Sequence, residues 1–368
     1  MLRCRSCLIP STRPDTAFHD GQCSACVNFG KRHLIDWGMR YESLLKILEG
    51  SRMTVDGFNC IVPSSGGKDS TYQVLKLIEL GAKPLVVTAT TCMLTPIGRK
   101  NIDNLARYAT TIEVTPNRAV RAKLNRFGLT QVGDISYPEH MAIFSIPFQV
   151  AQRYGIPLIF YGESPQREYG CPEGEEDNFI LDQRWVHEFG GLLGMRASDC
   201  VGYDGITASD MLMYRIPEEV SAKAYFLGQF IPWDSHRNAR EAVAAGMIQE
   251  LPSQANWWPA ENLDNAMTGI HDHQMWRKFG YGRLAAQLSV DIRNGLISRI
   301  EALDIVRERD GLFPWLYAGI GLPKVLQQIG LSEEQFFKAL DDFTDWSLFI
   351  KVKDHRPILK EFAEAQAA

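Results

Sequence analysis

The sequence predicts an α/β fold in which a parallel sheet carries helices on both of its faces. Three observations predict this fold. Short apolar runs alternate with segments of helical periodicity between residues 57 and 165, a glycine-rich turn joins the first run to the first helical segment, and helical patterns dominate the C-terminal part. Alternation of strand and helix is typical of parallel sheets, because each parallel connection needs a crossover helix.

Each apolar run has the length of a strand, and each following segment has apolar residues at helical spacing. The predicted strands are residues 59–62, 84–89, 111–114 and 157–161, and the predicted helices are residues 69–80, 97–108, 118–126 and 140–154. Ligands of such sheets bind beyond the carboxyl ends of the strands, where the strand order switches. We therefore expect the turn after the first strand and the polar segment 161–164 after the last to share one edge.

The chain of 368 residues is long enough for more than one domain. We predict a cysteine-rich unit over residues 1–30, a connector with one helix (39–48) over 31–56, the α/β domain over 57–210, and a mainly helical region over 211–368. An amphipathic helix is predicted at residues 284–294 within that last region.

Composition limits the possible functions. The net charge is -5, which argues against a protein whose main role is to bind a nucleic-acid backbone. No signal peptide is recognisable, and the longest apolar stretch, residues 141–151, is too short to cross a membrane. We expect a cytoplasmic protein, whose eight cysteines are reduced and form no disulfides.

The first thirty residues contain the cysteine pairs Cys4-x-x-Cys7 and Cys23-x-x-Cys26. Two such pairs in a short polar segment are typical of a four-cysteine zinc site. Four thiolates leave no open coordination position, so the predicted zinc is structural, and it would supply folding energy to a segment with few apolar residues. The alternative is two unrelated redox or core pairs.

The glycine-rich turn reads Ser65-Gly66-Gly67-Lys68-Asp69-Ser70. Glycines allow close backbone approach and positive φ, and the free N–H groups at a helix start bind anions, to which Lys68 adds a positive charge. We interpret the turn as a phosphate cradle, distinct from the G-x-x-x-x-G-K-[ST] loop because its first glycine is missing. The alternative is a turn without a ligand.

Carboxylates near this edge are candidate ligands for the magnesium that accompanies ATP, namely Asp69, Asp134 and Glu163. Each of them could equally be a solvated loop residue. His140 and Glu163 are candidate general bases, although a histidine at a helix start is more often structural. Glu139 could simply stabilise the start of the same helix.

A second dense segment lies in the C-terminal region. Its cations could contact phosphate groups of ATP or of a nucleotide-linked substrate, and they are Lys278, Arg283, Arg293 and Arg299. His271 and His273 are two residues apart, a spacing that separates them on a helix, so we expect no second metal site from this pair.

The turn matches the S-G-G-x-D-S signature, and so resembles the PP-loop of the ATP pyrophosphatase superfamily, which has a HUP-like fold. Nearly the whole chain resembles the N-acetyl sugar amidotransferase family of bacterial surface-polysaccharide biosynthesis. The segments that carry this resemblance are the cysteine pairs, the turn, and residues 133–140, 162–170 and 278–283. Two positions depart from the family, Ser164 in place of Asn and Asn265 in place of Cys, and the second excludes a cysteine-based role there.

The resemblance implies an enzyme that adenylates the oxygen of an N-acetyl group on a lipopolysaccharide or O-antigen sugar and replaces it with ammonia. ATP, Mg²⁺ and structural Zn²⁺ would be its cofactors. Its partners would be a glutaminase and a cyclase-like subunit that delivers ammonia, and it could form homo-oligomers. The alternatives are a tRNA-modifying PP-loop enzyme, which the acidic composition disfavours, and a non-catalytic nucleotide-binding zinc scaffold, which Lys68 and Asp69 disfavour.

Overall fold

The computed structural model describes residues 1–54, 57–175, 177, 181–253, 255–352 and 357–363. Residues 55 and 56, which fall at the predicted junction of connector and α/β domain, lie outside this part. The strands are β1 (Phe18–His19), β2 (Gln22–Cys23), β3 (Cys60–Pro63), β4 (Pro84–Ala89), β5 (Thr111–Val114), β6 (Leu158–Tyr161), β7 (Lys223–Phe226), β8 (Leu316–Tyr317), β9 (Ile320–Gly321), β10 (Phe349–Ile350) and β11 (Ile358–Leu359).

The helices connect and flank these strands. They are α1 (Ser24–Gly30), α2 (Trp37–Thr54), α3 (Lys68–Glu79), α4 (Pro96–Leu105), α5 (Arg118–Phe127), α6 (Tyr137–Tyr154), α7 (Pro165–Glu168), α8 (Gln183–Phe189), α9 (Ser235–Ala244), α10 (Thr268–Phe279), α11 (Arg283–Arg293), α12 (Arg299–Arg309), α13 (Leu322–Ile329), α14 (Glu333–Asp342) and α15 (Lys360–Ala363). Short 3₁₀ turns and one π-helical turn, Gly128–Val132, extend several of them. No helix in the described part of the chain has both the length and the apolar content that a membrane crossing requires.

The predicted α/β class is confirmed by a five-stranded sheet with the order β5-β4-β3-β6-β7, in which every pair of neighbours is parallel. The chain builds outward from β3 to β5, then returns to the other side of β3 with β6 and β7. The strand order therefore switches between β3 and β6, and the crevice at their carboxyl ends is where ligands of such sheets bind.

Helices cover both faces of this sheet, as predicted, because successive strand residues point to opposite sides. Ile61, Leu85 and Ile159 are buried in a core with α5 and α6. Val62 and Val86, each adjacent in sequence to one of these, are buried in the opposite core with α2 and α3. The near-continuous apolar strands are those of a sheet buried on both sides.

The sequence did not predict β7, which pairs with β6 from Leu158↔Lys223 to Tyr161↔Phe226. This strand is short, starts with an exposed lysine and follows a long excursion after β6. Its definition comes from pairing with β6 rather than from a local pattern. The predicted boundary at residue 210 therefore precedes the last strand of the sheet.

The cysteine-rich N-terminal segment does not stand apart from the C-terminal helices. Leu8 is buried in one hydrophobic cluster with Leu284 and Leu288 of α11. Arg3 Nε also donates a hydrogen bond of 2.8 Å to Glu361 Oε1. The two ends of the sequence are thus packed together, and the N-terminal unit completes a core that α11 and α12 cannot close alone.

Glu139 forms a buried ion pair that joins α5 to α6. Its carboxylate accepts from Arg121 Nη1 at 3.0 Å and from Asn125 Nδ2 at 2.8 Å, and both cation and carboxylate are shielded from solvent. The main role of Glu139 is therefore to connect two helices, and the helix-start role that the sequence suggested is the lesser one. Removing one member of such a pair leaves the other charge buried without compensation.

We expect the Glu139→Ala substitution to lower the free energy of unfolding by about 3–5 kcal/mol, because it leaves the Arg121 guanidinium buried without its counter-charge. Urea denaturation followed by circular dichroism measures the change. Glu113→Ala, which breaks the solvent-accessible pair with Arg99, is the control, with an expected loss of at most about 1 kcal/mol. Equal losses in the two variants would show that the buried pair has no special structural role.

Candidate functional site

The glycine-rich turn connects β3 to α3 at the strand-order switch, as the sequence predicted. Gly66 has φ +79°, and a Cβ on it would lie 2.7 Å from the backbone of Asn101, so this position requires glycine. Helix α3 begins at Lys68, and among the described residues no side chain caps it. The N–H groups of its first turn are thus available to an anion such as phosphate.

Hydroxyl groups fix the shape of this turn. Ser64 Oγ accepts from Gly66 N at 3.0 Å and donates to Ser70 Oγ at 2.7 Å, while Thr88 Oγ1 on β4 donates to Ser64 O at 2.7 Å. The turn is therefore tied to the sheet on one side and to α3 on the other. A cradle held this way needs little rearrangement when a ligand binds.

Lys68 is buried between two carboxylates. Its Nζ forms an ion pair with Asp69 Oδ2 and another of 2.6 Å with Glu261 Oε2, and it lies 5.5 Å from the ring centre of Trp258. Burial alone would lower the pKa of Lys68, but the charges of Asp69 and Glu261 outweigh it and raise the pKa well above its ordinary value. The ammonium group is therefore a permanent positive charge at the cradle.

Glu261 was missing from the predicted site residues. It belongs to a loop from the C-terminal half that lies over the cavity, where Thr95 N donates to Asp264 O at 3.0 Å and Leu94 bridges to Asn265. The sequence marked this loop as dense in polar residues, but nothing in its pattern indicated contact with Lys68. Only tertiary packing reveals that the C-terminal region completes the phosphate cradle.

The cradle opens into a cavity of about 310 Å³ between the ends of β3 and β6. Its lining includes Ser65, Gly66, Gly67, Lys68, Asp69, Ser70, Gly162, Glu163, Glu261 and Asp264. The predicted loop residues and Glu163 therefore do share one site. The free N–H groups at the start of α3 and the Lys68 ammonium group both lie at this cavity. The cavity therefore suits the phosphates of a nucleotide.

Glu163 and Asp69 are the carboxylates of this cavity that fit a magnesium ion. Burial and the nearby Asp69 charge raise the pKa of Glu163 to about 7, although Lys68 opposes the shift. Asp69 Oδ1 also accepts from Asn238 Nδ2 at 3.0 Å, which orients the carboxylate. A divalent cation relieves the repulsion between neighbouring carboxylates, so this pair could hold magnesium.

A second cavity, of about 230 Å³, contains the predicted catalytic residue His140 and two of the predicted cofactor-binding residues, Asp134 and Lys278. Its lining includes Asp134, His140, His271 and Lys278, with Arg13, Trp185, Phe189 and Tyr281. Burial would raise the pKa of Asp134, but His271 and His140 hold it well below its ordinary value. Burial likewise opposes the charge of His271, and Asp134 raises its pKa.

The structure places four of the predicted site residues outside the lining of the phosphate cavity. Asp134, His140 and Lys278 line the second cavity, and Arg283 Nη2 donates to Asp272 Oδ1 at 3.0 Å while its charge also interacts with that of Glu261. Asp134 precedes α6 and does not follow a strand, so the sheet edge does not bring it to Asp69 and Glu163. Lys278 Nζ donates to Val132 O at 3.2 Å.

Helix α6 forms a wall of both cavities. His140 lines the second cavity, and Ile143 and Pro147 line the phosphate cavity. These three residues stand at positions i, i+3 and i+7, which share one face of a helix. The segment after β6 is shared in the same way, with Glu163 in the phosphate cavity and Gln166 in the second. The two cavities therefore lie side by side along one helix.

The four N-terminal cysteines converge as predicted. Their Sγ atoms lie within 4.8 Å of one another, all four side chains are buried free thiols, and Cys7 Sγ is 3.7 Å from Cys23 Sγ. Such a cluster could bind zinc, and it excludes the alternative of two unrelated pairs. Arg299 Nε donates to Cys7 O at 3.0 Å, so this arginine supports the cysteine cluster instead of a phosphate.

Arg293 does not line the phosphate cavity, and its Nη2 donates to Glu168 O at 2.5 Å. The four cations of the C-terminal segment therefore do not form one cluster. Lys278 lines the second cavity, Arg299 contacts the cysteine cluster, Arg293 contacts α7 and Arg283 pairs with Asp272. Spacing along the sequence could not separate these positions, which depend on how α10, α11 and α12 pack.

Comparisons with known proteins find a match in the C-terminal part. Residues 254–361 match the family model described as "LPS biosynthesis protein WbpG-like, C-terminal domain". Among solved structures, the chain is similar to NMN synthetase from Francisella tularensis, with 13% identity, 60% of this chain and 99% of that chain covered, and a TM-score of 0.26. A TM-score of that size does not extend the likeness to function. No curated protein is significantly similar to the chain.

Proposed function

We propose that this protein is an AMP-forming amidotransferase that converts the N-acetyl group of a sugar to an acetamidino group. The observation that carries the proposal is the phosphate cavity at the strand-order switch, where Lys68 lies between Asp69 and Glu261. A free helix start and a fixed cation suit a polyphosphate that must be held while its α-phosphate reacts.

An amide resists attack by ammonia because its oxygen is a poor leaving group. In the proposed reaction the acetamido oxygen attacks the α-phosphorus of ATP, the bond between the α-phosphorus and the bridging oxygen breaks, and pyrophosphate leaves. Ammonia then adds to the activated carbon, loses a proton, and AMP departs with the former amide oxygen. The products are the amidine, AMP, pyrophosphate and a proton.

The residues of the phosphate cavity have distinct roles in this proposal. The N–H groups at the start of α3 bind the β- and γ-phosphates, and Lys68 stabilises the charge that develops on the leaving pyrophosphate. Asp69 and Glu163 would hold magnesium, which supplies charge neutralisation between phosphate oxygens when bound. If a different carboxylate of the cavity holds the ion with Asp69, Glu163, whose pKa is raised to about 7, is suited to take the proton that ammonia releases.

The second cavity is the proposed position of the sugar substrate. Trp185, Phe189 and Tyr281 offer ring faces to a sugar or a base, and Lys278 offers a cation to a phosphate group. Its position beside the phosphate cavity along α6 supports transfer between the two. The family model that matches residues 254–361 is named for lipopolysaccharide biosynthesis, which supports a surface-polysaccharide sugar as the substrate.

Ammonia is proposed to come from a separate glutaminase with a cyclase-like partner. A third cavity, of about 460 Å³, is lined mainly by α9 and shares Lys68 and Ala260 with the phosphate cavity. Because it borders the phosphate cavity at Lys68, we propose it as the side from which ammonia enters. Its outer part, formed by α9, is the proposed docking region of the ammonia-delivering partner.

We expect the purified protein to release AMP and pyrophosphate when it is given ATP, Mg²⁺, ammonium chloride and an N-acetylated nucleotide sugar. Liquid chromatography with mass spectrometry detects the amidino product, which is about 1 Da lighter than its substrate because NH replaces O. An identical mixture without ammonium is the control for substrate-independent hydrolysis. Formation of ADP and phosphate without AMP would contradict the mechanism.

A further inference from the structure

Three side chains in the second cavity converge outside the phosphate cradle. They come from separate segments, Asp134 before α6, His140 within α6 and His271 within α10, and their ligating atoms lie within 4.8 Å of one another. His271 Nδ1 is 2.7 Å from Asp134 Oδ1, His140 Nδ1 is 3.2 Å from Asp134 Oδ2, and the imidazole ring centres are 5.2 Å apart. Each carboxylate oxygen thus faces one imidazole.

The ring nitrogen of His140 has only a poorly aligned contact within the described residues. His140 Nδ1 is shielded from solvent and lies 3.2 Å from Asp134 Oδ2, a contact whose angles are too poor for a well-formed hydrogen bond. Buried polar atoms of native proteins almost always have a partner. A nitrogen lone pair that converges with a second imidazole and a carboxylate is the arrangement expected of a metal ligand.

Neighbouring groups orient the three side chains. Ser136 N donates to Asp134 Oδ1 at 2.9 Å, which fixes the carboxylate, and Lys278 Nζ donates to Val132 O. A Cβ at Gly191 would lie 3.0 Å from His140 Nδ1, so only glycine permits the close packing of the backbone against this ring. Supporting hydrogen bonds to the ligands are a regular part of protein metal sites.

We propose that Asp134, His140 and His271 bind a divalent transition-metal ion that faces the second cavity. Two imidazoles and a carboxylate suit Zn²⁺, Fe²⁺, Mn²⁺, Co²⁺ or Ni²⁺, whereas Mg²⁺ prefers oxygen ligands alone. Three protein ligands leave at least one position for water or for an oxygen donor of the substrate, unlike the closed cysteine cluster.

This site is not the His271 and His273 pair, for which the sequence predicted no metal site. As expected from their spacing, these two histidines do separate, and His273 Nδ1 lies 3.0 Å from Gly311 O. The partner of His271 comes instead from α6, which no local pattern could indicate. Metal binding here is independent of the adenylation chemistry proposed above, and it can be tested without a substrate.

The test is the metal content of the full-length protein after dialysis against Zn²⁺ and gel filtration, measured by mass spectrometry of the elements. We expect two equivalents of zinc in the native protein, and one in His140→Ala and in His271→Ala. The remaining equivalent, at the cysteine cluster, also reports that the variants are folded. His33→Ala, at an exposed histidine, is the control and should retain two.

A second measurement uses Co²⁺ added to protein whose cysteine cluster already contains zinc. Nitrogen and oxygen ligands should give weak visible absorption without sulfur-to-metal charge transfer, and His140→Ala should abolish it. Two results would overturn the proposal: a single zinc equivalent in the native protein that Cys26→Ser removes, or two equivalents retained by both histidine variants. Either result would assign Asp134 and His271 to a metal-free hydrogen-bonded pair.

Discussion

Replacement of Lys68 by alanine is expected to lower the rate of AMP formation about 10³-fold, since removal of one preorganised charge from a reacting site costs roughly 10²–10³ in turnover. The estimate takes the upper end of that range because Lys68 is a permanent cation, held between Asp69 and Glu261, with no other cation paired to either carboxylate among the described residues. Without it, two carboxylates repel the polyphosphate. The turnover number and the Michaelis constant for ATP, measured separately, show where the loss falls.

The controls for this variant separate charge from fold. Lys76→Ala changes a lysine on the same helix that pairs with exposed Glu79, and it should retain nearly full activity. Lys68→Arg preserves the charge but not the compact ammonium geometry, so an intermediate rate is expected. If Lys68→Ala folds normally and still forms AMP at a native rate, the assignment of this cavity to the phosphates is wrong.

Substitution of Cys26 by serine is expected to release the zinc of the cysteine cluster and to unfold residues 1–30. Structural zinc supplies about 10–16 kcal/mol in small zinc-binding peptides, so the segment cannot keep its fold without it. The effect should extend further, because Arg13 lines the second cavity and Leu8 belongs to the core of α11. Limited proteolysis of the N-terminal segment and the melting temperature measure both consequences.

Cys92→Ser provides the matched control, since Cys92 is a free cysteine outside the cluster. This variant should retain its zinc and resist proteolysis like the native protein. Treatment of the native protein with a strong chelator should reproduce the behaviour of Cys26→Ser. An N-terminal segment that stays protease-resistant after complete loss of zinc would show that packing against α11 alone maintains it.

The strands of the sheet were predictable where the local sequence alone defines them. The runs that form β3 to β6 are apolar and bounded by turns, so their positions follow from burial on both faces. β7 was not predicted, because it has only four residues and begins with an exposed lysine. It forms a strand only through pairing with β6. The cysteine cluster was predictable because its four ligands lie in one short segment.

The functional site was predictable only for residues that belong to one short motif. Gly66, Lys68 and Asp69 lie within four consecutive positions, so their chemistry follows from the turn itself. Glu261 and His271 reach their partners across more than a hundred residues, through the packing of the C-terminal region onto the sheet. Asp134 shows the same limit, since an acidic residue near a predicted helix start could not be placed in one or the other of two adjacent cavities from the sequence.

The packing of the first residues against α11 and the contact of Arg3 with Glu361 have a consequence for synthesis on the ribosome. These contacts span nearly the whole chain, with Arg3 and Glu361 separated by 358 positions. At a synthesis rate of about 5–20 residues per second, roughly 15–60 s pass between the synthesis of the N-terminal unit and that of the helices against which it packs. During that interval Leu8 and its neighbours are exposed. Early capture of zinc would then protect the nascent segment by giving it a closed shape before its core is complete.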